Sequence, residues 1–289
     1  MRIFYYVHTG HRVGLDRFRR AEAIINALGD DVDITMLTSD YRIASVAKDY
    51  GIKSCVGVDV IRNIPQIAQN GDKIIFDSDE HNSYILDDMT RFFSTFIRIS
   101  DNPDDKRHPK EFLISPYLEG ENICNATVVG DEYFGSFEKS IQRCFFFGDD
   151  DYERDLEKNL DLFLEQKMDL GLGFYYFLDY EESIAPYFNN LYEFEDYKMM
   201  VKSSSLFLSS SPQAVLENLA SGGRPVYLQR EDYPRDFIKL FKKLNIPLLD
   251  GFDKSKFSEL IDTNPSHKYK VLQNDTHKTV LFIRDTLNL

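Results

Sequence analysis

The sequence predicts an α/β protein built from two parallel-sheet domains facing a cleft. Three observations carry that prediction. Short apolar runs alternate with helix-spaced segments along the whole chain, polar or glycine-bearing turns follow the apolar runs, and 289 residues suffice for two domains of modest size. Hydrophobic residues make up 43% of the chain, and with no Trp the core bulk falls to 23 Phe and 17 Tyr.

In the first half, Arg2–Val7 reads as a strand that runs into the turn His8-Thr-Gly-His-Arg-Val-Gly14. Phe18, Ala21, Ile25 and Leu28 then recur at helical spacing, and Asp33–Leu37 reads as the next strand. Strand, loop, helix and strand make a βαβ unit, which requires parallel pairing. The pattern continues through a helix at Ile43–Tyr50, an extended stretch at Lys53–Val58 and a helix at Ile61–Gln69. Lys73–Phe76 is a buried strand ending at Asp77, Tyr84–Phe93 a helix and Phe96–Ser100 a strand. Asp101–Lys110 is polar and Pro-containing, hence a loop, and Phe112–Ser115 and Thr127–Val129 are the closing strands.

The second half opens near Ser136. Arg143–Phe147 reads as an aromatic strand, Gly148-Asp-Asp-Asp151 as its turn and Tyr152–Gln166 as a long charged helix. Gly173–Leu178 follows as a strand, Glu193–Met200 as a helix, Leu206–Leu208 as a strand and Ala214–Ala220 as a helix. Pro225–Leu228, Phe237–Leu244 and a last helix near Tyr269–Leu287 complete the order. The expected domains are 1–137 and 138–289, both Rossmann-like, the first for acceptor and catalysis, the second for a nucleotide, with the last helix packing back on the first.

A formal charge of −14 disfavours nucleic-acid and membrane-surface binding at long range. Three scattered cysteines lack metal-ligand spacing and suit a reducing compartment. The N-terminal apolar run is too short for a signal peptide, and no stretch approaches the ~20 apolar residues of a membrane span. These features predict a cytoplasmic protein.

Three segments carry candidate chemistry. Ser211-Pro212 is a strong helix start, Ser as N-cap and Pro at the first helical position, with Gly222 as the stop. Ser209, Ser210 and Ser211 ahead of that helix, with Gln213, form a candidate diphosphate site, and Glu217 a candidate ribose acceptor. Ser-Pro also opens many helices with no ligand. In the first loop, Arg2, Arg12, Arg17, Arg19 and Arg20 face a single acid, Asp16, within residues 1–20. Guanidinium forks suit phosphate, although a charge run is commonly a solvated helix face. Asp77-Ser-Asp-Glu-His81, at another strand end, could shuttle protons but lacks dedicated metal-site spacing.

Taken in this order, the segments resemble the small GT-B enzymes that hydrolyse a UDP-sugar in pseudaminic acid biosynthesis, and the related spore-coat polysaccharide glycosyltransferases. Gly14-Leu-Asp-Arg-Phe-Arg-Arg20 stands where that family has Gly-x-Gly-His-x-x-Arg. Val129-Gly-Asp-Glu-Tyr133 is similar to its Gly-x-x-Tyr crossing, and Phe146-Phe-Gly-Asp149 to its Phe-Gly-Gly turn. The serine turn with Glu217 is similar to its nucleotide-binding helix and, more distantly, to that of the peptidoglycan GlcNAc transferase. The family's second Gly is Asp16 here, its catalytic His is Arg17, and the last Gly of its turn is Asp149. Arginine stays protonated and cannot serve as the water-activating base.

The resemblance implies a nucleotide-sugar substrate, UDP-linked, with no separate cofactor or metal, and a sugar or glycan acceptor. In the glycosyltransferase reading, His11, Asp16 or Asp79 deprotonates the acceptor, Arg17 or Arg12 steadies the departing diphosphate, and Gly14, Ser209–Ser211, Gln213 and Glu217 hold the nucleotide. A UDP-sugar hydrolase using His11, and a non-catalytic member that binds partner enzymes of glycan assembly, are the alternatives.

Overall fold

The computed structural model describes residues 1–289, the side chain of Leu178 excepted. The chain forms two compact units: Met1–Gly10, Arg17–Asp131 and Asn274–Leu289 make the first, and His11–Asp16 with Glu132–Gln273 the second.

In the first unit, strands β1 (Ile3–Val7), β2 (Ile34–Thr38), β3 (Ser54–Gly57), β4 (Lys73–Asp77), β5 (Thr95–Ile99), β6 (Phe112–Ser115) and β7 (Ile123–Asn125) alternate with helices α1 (Asp16–Leu28), α2 (Tyr41–Val46), α3 (Ile64–Ile67) and α4 (Ser83–Phe92). The sheet order is β3-β2-β1-β4-β5-β6-β7, all parallel. All five residues of β1 are buried, as expected of a parallel strand covered on both faces. One face packs Phe4, Tyr6, Ile74, Phe76 and Phe96 together with Leu86 and Met89 of α4.

The second unit has β8 (Ile141–Phe146), β9 (Asp169–Gly171), α5 (Leu178–Ile184), β10 (Leu191–Tyr192), α6 (Tyr197–Ser203), β11 (Ser204–Ser209), α7 (Pro212–Ala220), β12 (Arg224–Gln229), α8 (Ile238–Leu244), β13 (Leu248–Asp250) and α9 (Lys254–Thr263). Its sheet runs β10-β9-β8-β11-β12-β13, again parallel throughout. Helix α10 (Thr276–Leu287) closes the chain and belongs to the first unit. Both sheets follow the strand order of the doubly wound Rossmann fold, so each reverses direction next to its first strand. Ligands of such sheets collect at that point, outside the carboxyl ends of the strands.

Several elements differ from the sequence reading. The closing strand of the first sheet is Ile123–Asn125, and Thr127–Val129 has no regular structure. The long helix expected at Tyr152–Gln166 is a set of turns around a 3₁₀ segment, Glu157–Leu162. Arg154 and Lys167 adopt positive φ, Asn159 is non-helical, and the Asp151 carboxylate takes the Asp155 and Leu156 N–H groups, so the chain coils tightly instead of extending. The strand expected at Gly173–Leu178 lies earlier, at β9, because Tyr176 N–H turns back to Gly173 O. The helix expected at Glu193–Met200 starts at Tyr197, and the last one at Thr276, whose N–H is taken by the Asn274 side chain. Strands β10 and β13 and helices α5 and α9 had no counterpart in the reading. Among the described residues, no helix is long and apolar enough to cross a membrane.

Candidate active site

In the second unit, the sheet reverses between β8 and β11, and the expected helix start sits there. Ser211 is extended, caps α7 by accepting the Ala214 N–H at 3.1 Å, and is followed by Pro212 in the first turn. Gly222, at φ +74°, takes the left-handed position past the C-terminus. The three serines are buried. Ser209 Oγ accepts the Ser211 N–H at 3.0 Å, while Ser210 Oγ is buried without a partner.

An anion already occupies the α7 N-terminus. Asp16 Oδ1 accepts the Ser211 hydroxyl at 2.5 Å, and its Oδ2 accepts the Gln213 N–H at 3.3 Å. Helix N-terminal N–H groups and the helix dipole favour a negative group at this place. Glu217, 1% exposed, accepts Tyr197 OH at 2.7 Å and Gln213 Nε2 at 2.9 Å. It therefore faces inward with a fixed orientation.

The acidic turn after β8 organises the His11–Asp16 loop. Asp150, almost fully buried, receives His11 Nδ1 at 2.7 Å on one oxygen and the Arg12 N–H at 2.9 Å on the other. Asp149 accepts the Leu15 N–H at 3.2 Å. Arg12, at φ +64°, lies over Tyr152 and pairs with Glu153, and Gly14 adopts φ +75° beside Tyr233. His11 sits among the rings of Tyr152, Tyr175 and Phe177, with centroids 5.1 to 6.1 Å away. A neutral imidazole that donates Nδ1–H to a buried carboxylate carries its lone pair on Nε2, the arrangement of an oriented general base.

Arg17 and Asp79 belong to the first unit, where its sheet reverses between β1 and β4. Arg17 pairs with Asp79 at 3.2 Å and comes within 3.9 Å of Asp77. Asp79 also takes His8 Nδ1 at 3.1 Å. That hydrogen bond, with the Arg17 charge behind it, holds the Asp79 carboxyl well below the usual carboxylate range, which makes it a poor base. Asp77, fully buried, is gripped by Arg20 through Nε at 2.9 Å and Nη2 at 2.6 Å, while Nη1 reaches Asp101 at 2.6 Å. Burial outweighs the arginines and raises the Asp77 carboxyl. The other members of the acidic segment are likewise engaged: Glu80 accepts Tyr6 OH, and His81 meets the Ser78 carbonyl and Arg98. Among the described residues, no group of three or more His, Cys, Asp or Glu side chains is placed to hold a metal ion.

The second unit thus gathers His11, Arg12, Gly14, Asp16, Ser209–Ser211, Gln213 and Glu217, while Arg17 and Asp79 stand in the first. Sequence reasoning overlooked Asp150 as the partner of His11, Tyr197 as that of Glu217, and the Arg20–Asp77–Asp101 bridge. The acidic triplet after a strand was the available signal for Asp150.

No protein-family model matches the chain, and no curated protein matches its sequence. Solved structures do. The UDP-GlcNAc 2-epimerase of Methanocaldococcus jannaschii, in complex with UDP-GlcNAc and UDP, superposes with a TM-score of 0.61 at 12% identity, over 99% of each chain. The fold is of the GT-B type. The UDP-GlcNAc 2-epimerase of Neisseria meningitidis bound to UDP-GlcNAc gives a TM-score of 0.64 at 8% identity, over 97% of this chain and 98% of that one. The spinosyn rhamnosyltransferase SpnG with its spinosyn aglycone gives 0.59 at 9%, over 100% and 96%. At these identities the likeness concerns the fold.

Proposed function

We propose that this GT-B protein is a nucleotide-sugar-dependent glycosyltransferase of surface-glycan assembly, with a UDP-linked donor held by the second unit. The observation that carries the reading is the carboxylate bound at the α7 N-terminus: the position accepts an anion through a hydroxyl and a backbone N–H. Glu217, buried and oriented one and a half turns further on, supports a ribose acceptor beside it. Three solved structures of this fold whose ligands or names involve a sugar nucleotide or sugar transfer support the substrate class. Of the three candidate bases, His11 is the one this arrangement favours. Asp16 is bonded at α7, and Asp79 is held in its ionised form, whereas His11 is aligned by Asp150.

A second reading, a non-catalytic nucleotide-sugar-binding member, draws on the same Asp16 contact, since a diphosphate can take that place only if the carboxylate leaves it. The UDP-sugar hydrolase reading uses His11 as well and differs by releasing free sugar without an acceptor. Isothermal titration of UDP, CMP, GDP and ADP against the wild type and Asp16→Asn tests the proposal. UDP should bind, and Asp16→Asn should bind it roughly tenfold or more tightly, a gain of about 1.4 kcal/mol. Failure of every nucleotide to bind either protein at millimolar concentration overturns the nucleotide reading. Tight binding without turnover of any sugar donor decides for the non-catalytic one.

A further inference from the structure

Arg230 is the first residue after β12, and it is 5% exposed. A guanidinium taken out of water needs partners for its donors. Here Nε and Nη2 fork onto the two oxygens of Asp232 at 2.9 and 2.7 Å. Nη1 leaves the loop and donates to the Asp150 backbone carbonyl at 2.6 Å, 80 positions earlier in the chain. The guanidinium also lies over the rings of Phe147 and Tyr233, 4.3 Å from each centroid, which hold its plane. The reach explains the residue type. In the second sheet β11 stands between β8 and β12, so the turns after those two strands are about 10 Å apart at the usual strand spacing. Arginine spans such a gap and keeps a planar fork at its end, where lysine would bring a point charge alone.

What Arg230 holds is the frame of the acidic turn after β8. The Asp149 carbonyl takes the Tyr175 N–H at 2.9 Å and the Asp151 carbonyl the Arg154 N–H at 3.0 Å, while the carbonyl between them takes Arg230. That frame sets the direction of the Asp150 side chain. Its carboxylate in turn gathers His11 Nδ1 at 2.7 Å, the Arg12 N–H at 2.9 Å and the Tyr152 N–H at 3.3 Å. The charge matters as well as the bond. Asp149, Asp150 and Asp151 are all buried, and adjacent carboxylates out of water call for a cation. Burial raises the Asp151 carboxyl, and the Arg230 charge is among the influences that oppose it.

We propose that Arg230 is a positioning residue for His11: acting through the Asp150 carbonyl, it fixes the carboxylate that keeps the His11 proton on Nδ1 and the lone pair on Nε2. Its consequence for turnover rests on the reading of His11 as the base; its consequence for the ring does not. Without Arg230 the Asp150 carbonyl is a buried acceptor deprived of its donor, and the turn must shift to satisfy it. The released imidazole then takes up the Nε2–H tautomer, which dominates for free neutral histidine in water and leaves no lone pair where a base needs one.

The test labels the full chain with ¹⁵N-histidine and follows the two His11 ring nitrogens by NMR, recorded above the ordinary histidine titration range. In the wild type Nδ1 should be the protonated nitrogen and Nε2 the bare one. In Arg230→Met the Nδ1–H form should lose its majority. Asp232→Asn, which opens the fork from its outer end, should move the populations the same way to a smaller extent. Leu244→Ala, a core truncation on α8 of the same unit, is the control: it should lower the melting temperature and leave the populations at the wild-type value. An equal shift in Leu244→Ala would reduce Arg230 to a structural residue and overturn the proposal. So would wild-type populations in Arg230→Met, or in Asp232→Asn should Arg230→Met fail to fold. With donor and acceptor present, Arg230→Met should lower kcat, by less than the about 10²–10⁴ expected for loss of the base, and leave KM for the donor near its wild-type value. The ring populations are read without substrate, so they separate failure of this proposal from failure of the transferase reading, which wild-type turnover decides.

Discussion

Asp16 Oδ1 lies 2.5 Å from Ser211 Oγ, so a residue at the start of α1 supplies the anion at the start of α7, 195 positions later in the chain. A carboxylate in that position should stabilise the second unit. Asp16→Asn keeps the size and loses the charge, and we expect it to cost about 0.5–2 kcal/mol in urea denaturation, since Ser211 still caps Ala214. Ser211→Ala removes both bonds and should cost more. The double variant should be less destabilised than the sum of the two, with a coupling of roughly 0.5–3 kcal/mol. Strict additivity would mean the contact is energetically idle.

Arg20 and Asp77 form a different kind of pair, buried in the first unit. Arg20→Met strands the Asp77 carboxylate without its fork, and removing one partner of a buried pair costs about 3–5 kcal/mol. Arg20→Met with Asp77→Asn should recover much of that loss. The sign of the pH dependence follows from burial raising the Asp77 carboxyl. A carboxyl raised in the folded state binds its proton there more readily than in the unfolded chain. Its destabilising effect is thus present above the folded value and relieved as pH falls towards the ordinary carboxylate range. Arg20→Met should accordingly lose less stability relative to wild type at pH 5 than at pH 8. An equal loss at both would show that Asp77 stays ionised.

The parallel sheets were legible in the sequence because β1, β4, β8 and β11 each contain at least three consecutive apolar residues (3–7, 74–76, 144–146 and 206–208) with a polar turn behind. So was the start of α7, where Ser211, Pro212 and Gly222 each act through local backbone chemistry. The segment from Tyr152 to Gln166 misled, because its helix-like charge pattern competes with the Asp151 carboxylate, which takes the N–H groups of Asp155 and Leu156 four and five residues on. β10 and β13 escaped notice because strands of two and three residues carry no periodicity. The candidate site was only half legible. Asp16 stood out as a departure from the family pattern, but no local rule joins it to Ser211, and nothing nearby in sequence pairs His11 with Asp150.

Gly173 packs against the turn that leads into Asp150. A Cβ there would sit 2.5 Å from the Gly148 carbonyl oxygen and 2.7 Å from the Asp149 carbonyl carbon, both backbone atoms that cannot swing aside. Gly173→Ala should therefore cost about 1–3 kcal/mol, the usual overpacking penalty. Because the displaced turn carries Asp150, the His11 ring should lose its anchor too. Thermal melting gives the stability, and the His11 Nδ1 resonance in a labelled sample gives the anchor. An unchanged melting temperature would mean that the turn has slack.

The sharpest functional prediction concerns Asp150. If His11 is the base, the carboxylate fixes which ring nitrogen carries the lone pair, and Asp150→Asn reverses that instruction because an amide NH₂ in the same place would have to donate to Nδ1. Nε2 would then hold the proton and could not accept one. Turnover with a sugar donor and acceptor should fall by about 10²–10⁴ in both His11→Ala and Asp150→Asn, the usual worth of general-base catalysis, with KM for the donor changed little. The two losses should not multiply in the double variant, since the residues act as one device. Asp150 also accepts the Arg12 N–H, so circular dichroism and nucleotide titration on the same samples separate a lost base from a disordered loop. Wild-type turnover in His11→Ala would move the base elsewhere and leave the pair as a structural clasp between the loop and the turn after β8.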